Sequence, residues 1–118
     1  MNLAIIPARS GSKRIPNKNI KLFFGKPIIY YSIKLALKSR IFDKVLVSTD
    51  SKRIKKIAEK YGAEVPFIRP KKLSGDFSTT HDVIKHAVNW YSKKKIKIDY
   101  VCCIYPISPL LNIKYLVK

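Results

Sequence analysis

The loop that follows the first apolar run of the chain carries residue types that bind phosphate. Residues 4–20 read AIIPARSGSKRIPNKNI, with four arginines and lysines and no acid. Gly11 lets the backbone approach a ligand closely, and successive N–H groups around it can form an anion-binding nest. Arg9 and Lys13 add charge, and Lys18 or Asn19 returns toward the same place. The loop is a candidate phosphate cradle, although GxxxxGKS/T and GxGxxG are both absent; the alternative is a solvated basic loop.

Strand-like and helix-like segments alternate around this loop. Short apolar runs predict buried strands at 3–7, 44–49 and 99–106, the last of them central in the sheet. Apolar residues at helical spacing predict helices at 27–39, 51–62 and 80–94, the second capped by Asp50 or Ser51. Residues 64–70 are extended, and Pro66 either places them at a sheet edge or confines them to a short strand. The alternation predicts an α/β fold with a mostly parallel sheet covered on both faces.

Polar segments follow the predicted strands. They are residues 7–19, 48–51, 69–80 and 105–109. Ligands of open α/β sheets bind beyond the carboxyl ends of the strands. The sequence therefore predicts that these four segments meet in one binding site.

The charge of the chain limits the class of partner. Its 118 residues contain 25 Lys and Arg against 7 Asp and Glu, a formal net charge of +18. Such a charge favours a polyanion, either nucleic acid or a phosphate-bearing small molecule. A general bias toward lysine is the alternative. The lysines are spread over every segment and the aromatics sit at inward helical positions, which makes a basic nucleic-acid-binding module the less favoured interpretation.

The sequence predicts a cytoplasmic protein. Cys102 and Cys103 are adjacent, have no metal-ligand spacing and read as buried thiols in a reducing compartment. The N-terminal apolar run is too short for a signal peptide. No segment approaches the about 20 apolar residues of a membrane span.

Several blocks in register resemble the CMP-sugar synthetase, or acylneuraminate cytidylyltransferase, family. They are IIPARSGSKRIPNKN, GKPIIYYSI, FDKVLVSTDS, YGAEVPFIRP, LSGDFSTTHDVIKHAV and YPISPL. The resemblance covers essentially the whole chain. It implies a Rossmann-like three-layer nucleotidyltransferase fold, apparently truncated, in which residues 1–118 are the N-terminal, nucleotide-binding part of a single domain.

The resemblance also implies a reaction and a set of site residues. CTP and a nonulosonic acid, an acidic nine-carbon sugar, give a CMP-sugar and pyrophosphate, for a cell-surface glycan or flagellin. The catalytic residues implied are Arg9, Lys13 and Lys18. The nucleotide-binding residues implied are Pro7, Ala8, Arg9, Gly11, Ser12, Lys13, Asn19, Arg69, Ser78 and Thr80. Asp76 is expected to order its loop rather than to bind metal.

Tyr105 departs from the family pattern. Sialic acid enzymes usually carry Gln at this place, near the sugar, so Tyr105 is the expected sugar-binding residue. Together with the neighbouring blocks it resembles the pseudaminic acid branch. N-acetylneuraminic acid, legionaminic acid and 3-deoxy-manno-octulosonate remain alternative substrates.

Family members are longer than this chain. The part that it lacks is expected to supply the acids that hold Mg²⁺, much of the sugar pocket and the contacts of a homodimer; the present residues give no metal site. The chain by itself is then expected to bind CTP weakly and to catalyse little. An inactive fragment is the remaining alternative.

Three other polar or aromatic residues receive structural interpretations. His81 and His86 have no acid at catalytic spacing, so surface and helix-face positions are favoured over catalysis. Trp90 could suggest a stacking platform, but its helical spacing favours packing.

Overall fold

A computed structural model describes residues 1–8, 22–70 and 80–105, with Phe23 described by its backbone alone. The strands are β1 (Asn2–Pro7), β2 (Leu22–Phe23), β3 (Lys26–Pro27), β4 (Lys44–Ser48) and β5 (Tyr100–Cys103). The helices are α1 (Ile28–Ser39), α2 (Lys52–Lys60) and α3 (Thr80–Lys93). The three predicted helices and the three predicted strands are confirmed to within a few residues at their ends. The short β2–β3 hairpin was not predicted; Phe24 and Gly25 form its turn with φ of 49° and 80°.

The main sheet is parallel, as the alternation of elements predicts. Its described strands run in the order β4-β1-β5. Ile5 is paired with Leu46 on one side and with Cys103 on the other. The expectation that the strand at 99–106 is central is wrong for the described residues, where β1 is in the middle. β1 is buried on both faces, whereas β5 begins at Tyr100, which is 75% exposed.

An extended segment continues the sheet beyond β4. Glu64 O accepts a hydrogen bond from Val47 N at 2.9 Å, and Glu64 N donates one to Val45 O at 2.8 Å. These two bonds form a single parallel bridge between Leu46 and Glu64 rather than a longer strand. The edge position predicted from Pro66 is therefore confirmed within the part of the chain that the structure describes.

Alternate residues of β1 supply two hydrophobic clusters, one on each face of the sheet. Ala4 and Ile6 pack with buried residues of α1 and α2. Leu3 and Ile5 pack with Val83, Ala87 and Tyr91 of α3. This division follows from the two-residue period of a strand, and it confirms that helices cover both faces.

The start of α2 distinguishes between the two predicted caps. Ser51 Oγ accepts a hydrogen bond from Ile54 N at 3.2 Å, so Ser51 and not Asp50 is the N-cap.

No helix among the described residues has both the length and the apolar character that a membrane crossing would require.

Candidate functional site

Hydrogen bonds of the main chain bring the carboxyl ends of the strands together. Ala8 N, directly after β1, donates to Ser48 O at the end of β4 over 2.9 Å. Ile104 N, directly after β5, donates to Ile5 O over 2.9 Å. The chain thus leaves all three strands at one edge of the sheet, which we call the carboxyl edge. Pro7 and Ala8 lie there, as predicted.

Arg69 is buried at this edge, with 4% of the residue exposed. Its amide donates to Thr49 O at 2.8 Å, and its Nη2 donates to Ser48 O at 3.2 Å. A charged side chain is rarely buried to this degree unless its donors are satisfied. The Nη2 bond holds the guanidinium at the end of β4. Ser48 O also accepts from Ala8 N, so the guanidinium lies beside the end of β1, from which the predicted phosphate loop follows.

Two further polar residues at the end of the β4 run were not assigned a role by the sequence. Ser48 and Thr49 are completely buried. Thr49 Oγ1 accepts a hydrogen bond from Ser51 N at 3.1 Å. Ser48 Oγ has no hydrogen-bond partner among the described residues. The available signal was the change from apolar to hydroxyl side chains at the end of KVLVST.

Tyr105 joins the end of β5 to two helices. Its carbonyl accepts a hydrogen bond from Ser32 Oγ of α1 at 3.3 Å, and its hydroxyl is hydrogen-bonded to Thr80 Oγ1 at the start of α3. The Tyr105 hydroxyl also contacts the Cys103 thiol. Burial raises the pKa of Cys103, while the hydrogen bond from Tyr105 opposes that change. The structure therefore places the expected sugar residue against an expected nucleotide residue.

Five of the predicted site residues can be placed at the carboxyl edge, and the others cannot be described. The five are Pro7, Ala8, Arg69, Thr80 and Tyr105. The residues outside the described ranges are Arg9, Gly11, Ser12, Lys13, Lys18, Asn19, Asp76 and Ser78. Their roles stay predictions.

His86 of α3 is influenced by two basic residues. Burial lowers the pKa of His86, and the charges of Arg69 and Lys93 lower it further. His81 is exposed. Within residues 1–8, 22–70 and 80–105, no three His, Cys, Asp or Glu side chains are grouped closely enough to hold a metal ion.

The chain is similar to a family of nucleotidyl-transferring proteins. A family model described as cytidylyltransferase matches residues 3–118. A pseudaminic acid cytidylyltransferase of Campylobacter jejuni is 51% identical over 111 residues, which are 94% of this chain and 48% of that protein. A CMP-N,N'-diacetyllegionaminic acid synthase of Legionella pneumophila is 41% identical over 107 residues, 91% of this chain and 46% of that protein.

A solved structure has the same fold. It is a CMP:2-keto-3-deoxy-manno-octonic acid synthetase complexed with CTP, with a TM-score of 0.82 and 22% identity. The superposition covers 98% of this chain and 44% of the solved one. The predicted α/β nucleotidyltransferase fold is thereby confirmed. The chain spans about half the length of the curated relatives named above.

Proposed function

The chain belongs to the cytidylyltransferase family, and we propose that residues 1–118 are the nucleotide-binding part of a single domain that activates a nonulosonic acid with CTP. The observation that carries the proposal is the carboxyl edge. There, a buried and hydrogen-bonded Arg69 lies beside the end of the strand that leads into a basic, glycine-containing loop. A fixed guanidinium and a loop of backbone donors suit a polyphosphate, because its oxygens carry negative charge and accept hydrogen bonds. A neutral metabolite would not balance that positive charge.

The proposed reaction is a displacement at phosphorus. The anomeric hydroxyl oxygen of the sugar acid attacks the α-phosphorus of CTP and loses its proton. The bond between the α-phosphorus and the bridging oxygen breaks, and pyrophosphate leaves with that electron pair. Such a step needs positioning and charge neutralisation more than covalent catalysis.

The basic loop supplies the charge in this proposal. Arg9, Ser12 and Lys13 hold the triphosphate, and Gly11 lets the backbone approach it. Lys18 and Asn19 reach a phosphate or the ribose. Neutralising the pyrophosphate lowers the barrier because negative charge collects on the leaving group in the transition state.

The residues around the base can be assigned more narrowly. Arg69, Ser78 and Thr80 are proposed to frame the cytosine and the ribose. Ala8 N already donates to Ser48 O, and proline has no N–H. Pro7 and Ala8 therefore act on the base through their carbonyl oxygens, which can accept from the 4-amino group that distinguishes cytosine from uracil.

The acceptor is proposed to be pseudaminic acid. The pseudaminic acid cytidylyltransferase of C. jejuni is 51% identical to this chain, against 41% for the legionaminic acid synthase. Tyr105 would contact the sugar through its ring, because its hydroxyl is already bonded to Thr80. N-acetylneuraminic acid and legionaminic acid are the alternatives within the same chemistry.

We also propose that the reaction uses Mg²⁺. The full-length protein is proposed to be a cytoplasmic homodimer. Mg²⁺ would neutralise the phosphates of CTP when bound. The described part of the chain has no group of three His, Cys, Asp or Glu side chains that could hold the ion. The proposed ligands and dimer contacts belong to the portion of the relatives that this chain does not span.

Calorimetric titration with CTP, UTP and ATP tests the nucleotide part of the proposal. We expect weak binding with a preference for CTP, and a loss of at least tenfold in affinity in Arg69→Met because a charged donor beside the nucleotide is removed. Arg53→Met, on the exposed part of α2, is the matched control and should bind like the original chain. Equal binding of all three nucleotides would contradict the proposal.

A second assay tests the partial-domain claim and the competing class. The chain is incubated with CTP, Mg²⁺ and each of the three sugar acids, and CMP-sugar is measured. We expect little product, and fast turnover would show that residues 1–118 are not merely the nucleotide-binding part. Tight, steeply salt-dependent binding of RNA or DNA that CTP does not displace would favour the nucleic-acid-binding module instead.

A further inference from the structure

A cavity of about 460 Å³ lies on the outer side of α3, away from the contacts that α3 makes with the sheet. One wall is formed by two adjacent rows of the helix. Lys85, Asn89 and Lys93 form one row, and Asp82, His86 and Trp90 form the other. Residues four apart share a helix face, so each row presents its side chains to the same space. Pro70, next to the buried Arg69, is the one described lining residue outside α3.

The charges of the cavity favour an anion. Lys85 and Lys93 are exposed lysines at its wall, and Asp82 is the one acid among the described lining residues. Burial lowers the pKa of His86 in this wall, and the charges of Arg69 and Lys93 lower it further. His86 Nδ1 is buried and has no hydrogen-bond partner among the described residues.

Trp90 supplies a flat, apolar surface. Its ring is half-buried and is supported by Phe67 at 5.7 Å and by Tyr91 at 5.0 Å between ring centroids. Lys94 lies 5.5 Å from the centroid of the same ring, but it lines the neighbouring cavity and not this one. An indole that is fixed by its neighbours can stack on a ligand ring at little entropic cost.

We propose that this cavity is a second binding site, separate from the carboxyl edge, for a small anion that carries a flat ring, such as a nucleoside monophosphate. The lysines at 85 and 93 hold the anionic group. Trp90 contacts the ring, and Asn89 and His86 offer hydrogen bonds between these two contacts. Packing accounts for the contacts of Trp90 with Phe67 and Tyr91, whereas two lysines and an amide line the cavity that Trp90 also lines.

The fluorescence of Trp90 tests the proposal directly, because Trp90 is the single tryptophan of the chain. The protein is titrated with CMP, with cytidine, which lacks the charge, and with inorganic phosphate, which lacks the ring. We expect a saturable change with CMP at a midpoint at least tenfold lower than with either fragment. A midpoint for phosphate equal to that for CMP would overturn the role of the ring, and no saturable change with CMP would overturn the site.

Three variants separate this site from the carboxyl edge. The double variant Lys85→Ala/Lys93→Ala should raise the CMP midpoint at least tenfold, whereas Lys52→Ala/Lys56→Ala on exposed positions of α2 should leave it unchanged. Arg9→Ala removes a predicted phosphate contact of the proposed catalytic site and should also leave the Trp90 midpoint unchanged. A Trp90 response that disappears in Arg9→Ala, or that survives in Lys85→Ala/Lys93→Ala, would overturn a separate site.

Discussion

Main-chain hydrogen bonds join β1, β4 and β5 at both ends. Acidic side chains add to them at the amino ends of the strands, which we call the amino edge, whereas a buried arginine does so at the carboxyl edge. The amino group of Met1 lies 2.5 Å from Asp99 Oδ2, and Asn2 N donates to Asp43 Oδ2 over 2.6 Å. Lys44 Nζ lies 3.2 Å from Glu64 Oε1. Three of the seven acids of the chain are thus used to join strand starts.

The carboxyl edge has a different composition. Its strand ends are joined by the amides of Ala8 and Ile104, and Arg69 replaces the acids as the fixed charge. The acids at the amino edge therefore contribute to stability, whereas the buried Arg69 places a positive charge at the carboxyl edge, which suits the anionic ligand proposed above. Substitutions in the core and at each edge test that division.

Ile5→Ala should weaken both edges together, because Ile5 is completely buried in the middle strand. The expected loss is about 2–5 kcal/mol in the free energy of unfolding, from lost burial and the cavity that remains. Urea unfolding measures it. Leu22→Ala, at a residue that is 67% exposed, is the control and should change stability by less than about 0.5 kcal/mol. Equal effects would contradict the assignment of the core.

Arg69→Met should affect the carboxyl edge alone. It keeps an apolar stem in the buried position but removes the charged hydrogen bond to Ser48 O, and such bonds contribute about 1.5–3 kcal/mol. The measurement is urea unfolding beside the CTP titration. If the variant binds CTP as tightly as the original chain does, whatever its stability, Arg69 does not contribute to CTP binding. The proposed difference between the two edges would then be wrong.

Tyr105→Phe should have a smaller effect, since it removes one neutral hydroxyl that meets Thr80 and Cys103. We expect about 1 kcal/mol of lost stability. The pKa of Cys103 should also rise further, because the hydrogen bond that opposes the effect of burial is gone. Labelling by a thiol reagent at about pH 8, in a Cys102→Ser background, should then slow down because less thiolate is present. Unchanged labelling would show that the Tyr105 hydroxyl does not reach the thiol.

Asp99→Asn tests the amino edge through pH. The hydrogen bond from the Met1 ammonium, followed by its charge, lowers the pKa of Asp99 in the folded state. A lowered carboxyl pKa stabilises the fold above the unfolded-state value, and that contribution is lost as the pH falls through the folded-state value. The difference in Tm between the original chain with a free amino terminus and Asp99→Asn should be present at about pH 7 and vanish near about pH 2. A pH-independent difference would contradict the ion pair.

The sequence predicted the positions of the helices and strands well, but it did not predict the long-range contacts at the amino edge. Helices and strands follow from local spacing, so their positions at 28–39, 44–48 and 80–93 could be predicted. The central strand could not, because β1 and β5 are both apolar runs and only pairing distinguishes them. The pairs Met1–Asp99 and Asn2–Asp43 join residues 98 and 41 positions apart, and no local pattern indicates such contacts.

At the candidate site, the family pattern predicted a nucleotide-binding role for Arg69, which stays a prediction, and it did not indicate that this residue is buried. Charged residues are usually exposed, and the bond to Ser48 O depends on how residues 64–70 lie along β4. The sequence placed Ser48 and Thr49 in a segment predicted to join the site, but it did not indicate their burial, because hydroxyl residues at strand ends are also common in turns.

A titration with CTP followed by ¹H–¹⁵N NMR tests most directly whether the ligand binds at the carboxyl edge. We expect the largest amide shifts at Ala8, Thr49 and Arg69. The amide resonances of Asn2 and Asp99 at the amino edge should not change their chemical shifts. Larger shifts at the amino edge than at the carboxyl edge, or no shifts at CTP concentrations that saturate other nucleotide-binding domains, would contradict binding at the carboxyl edge.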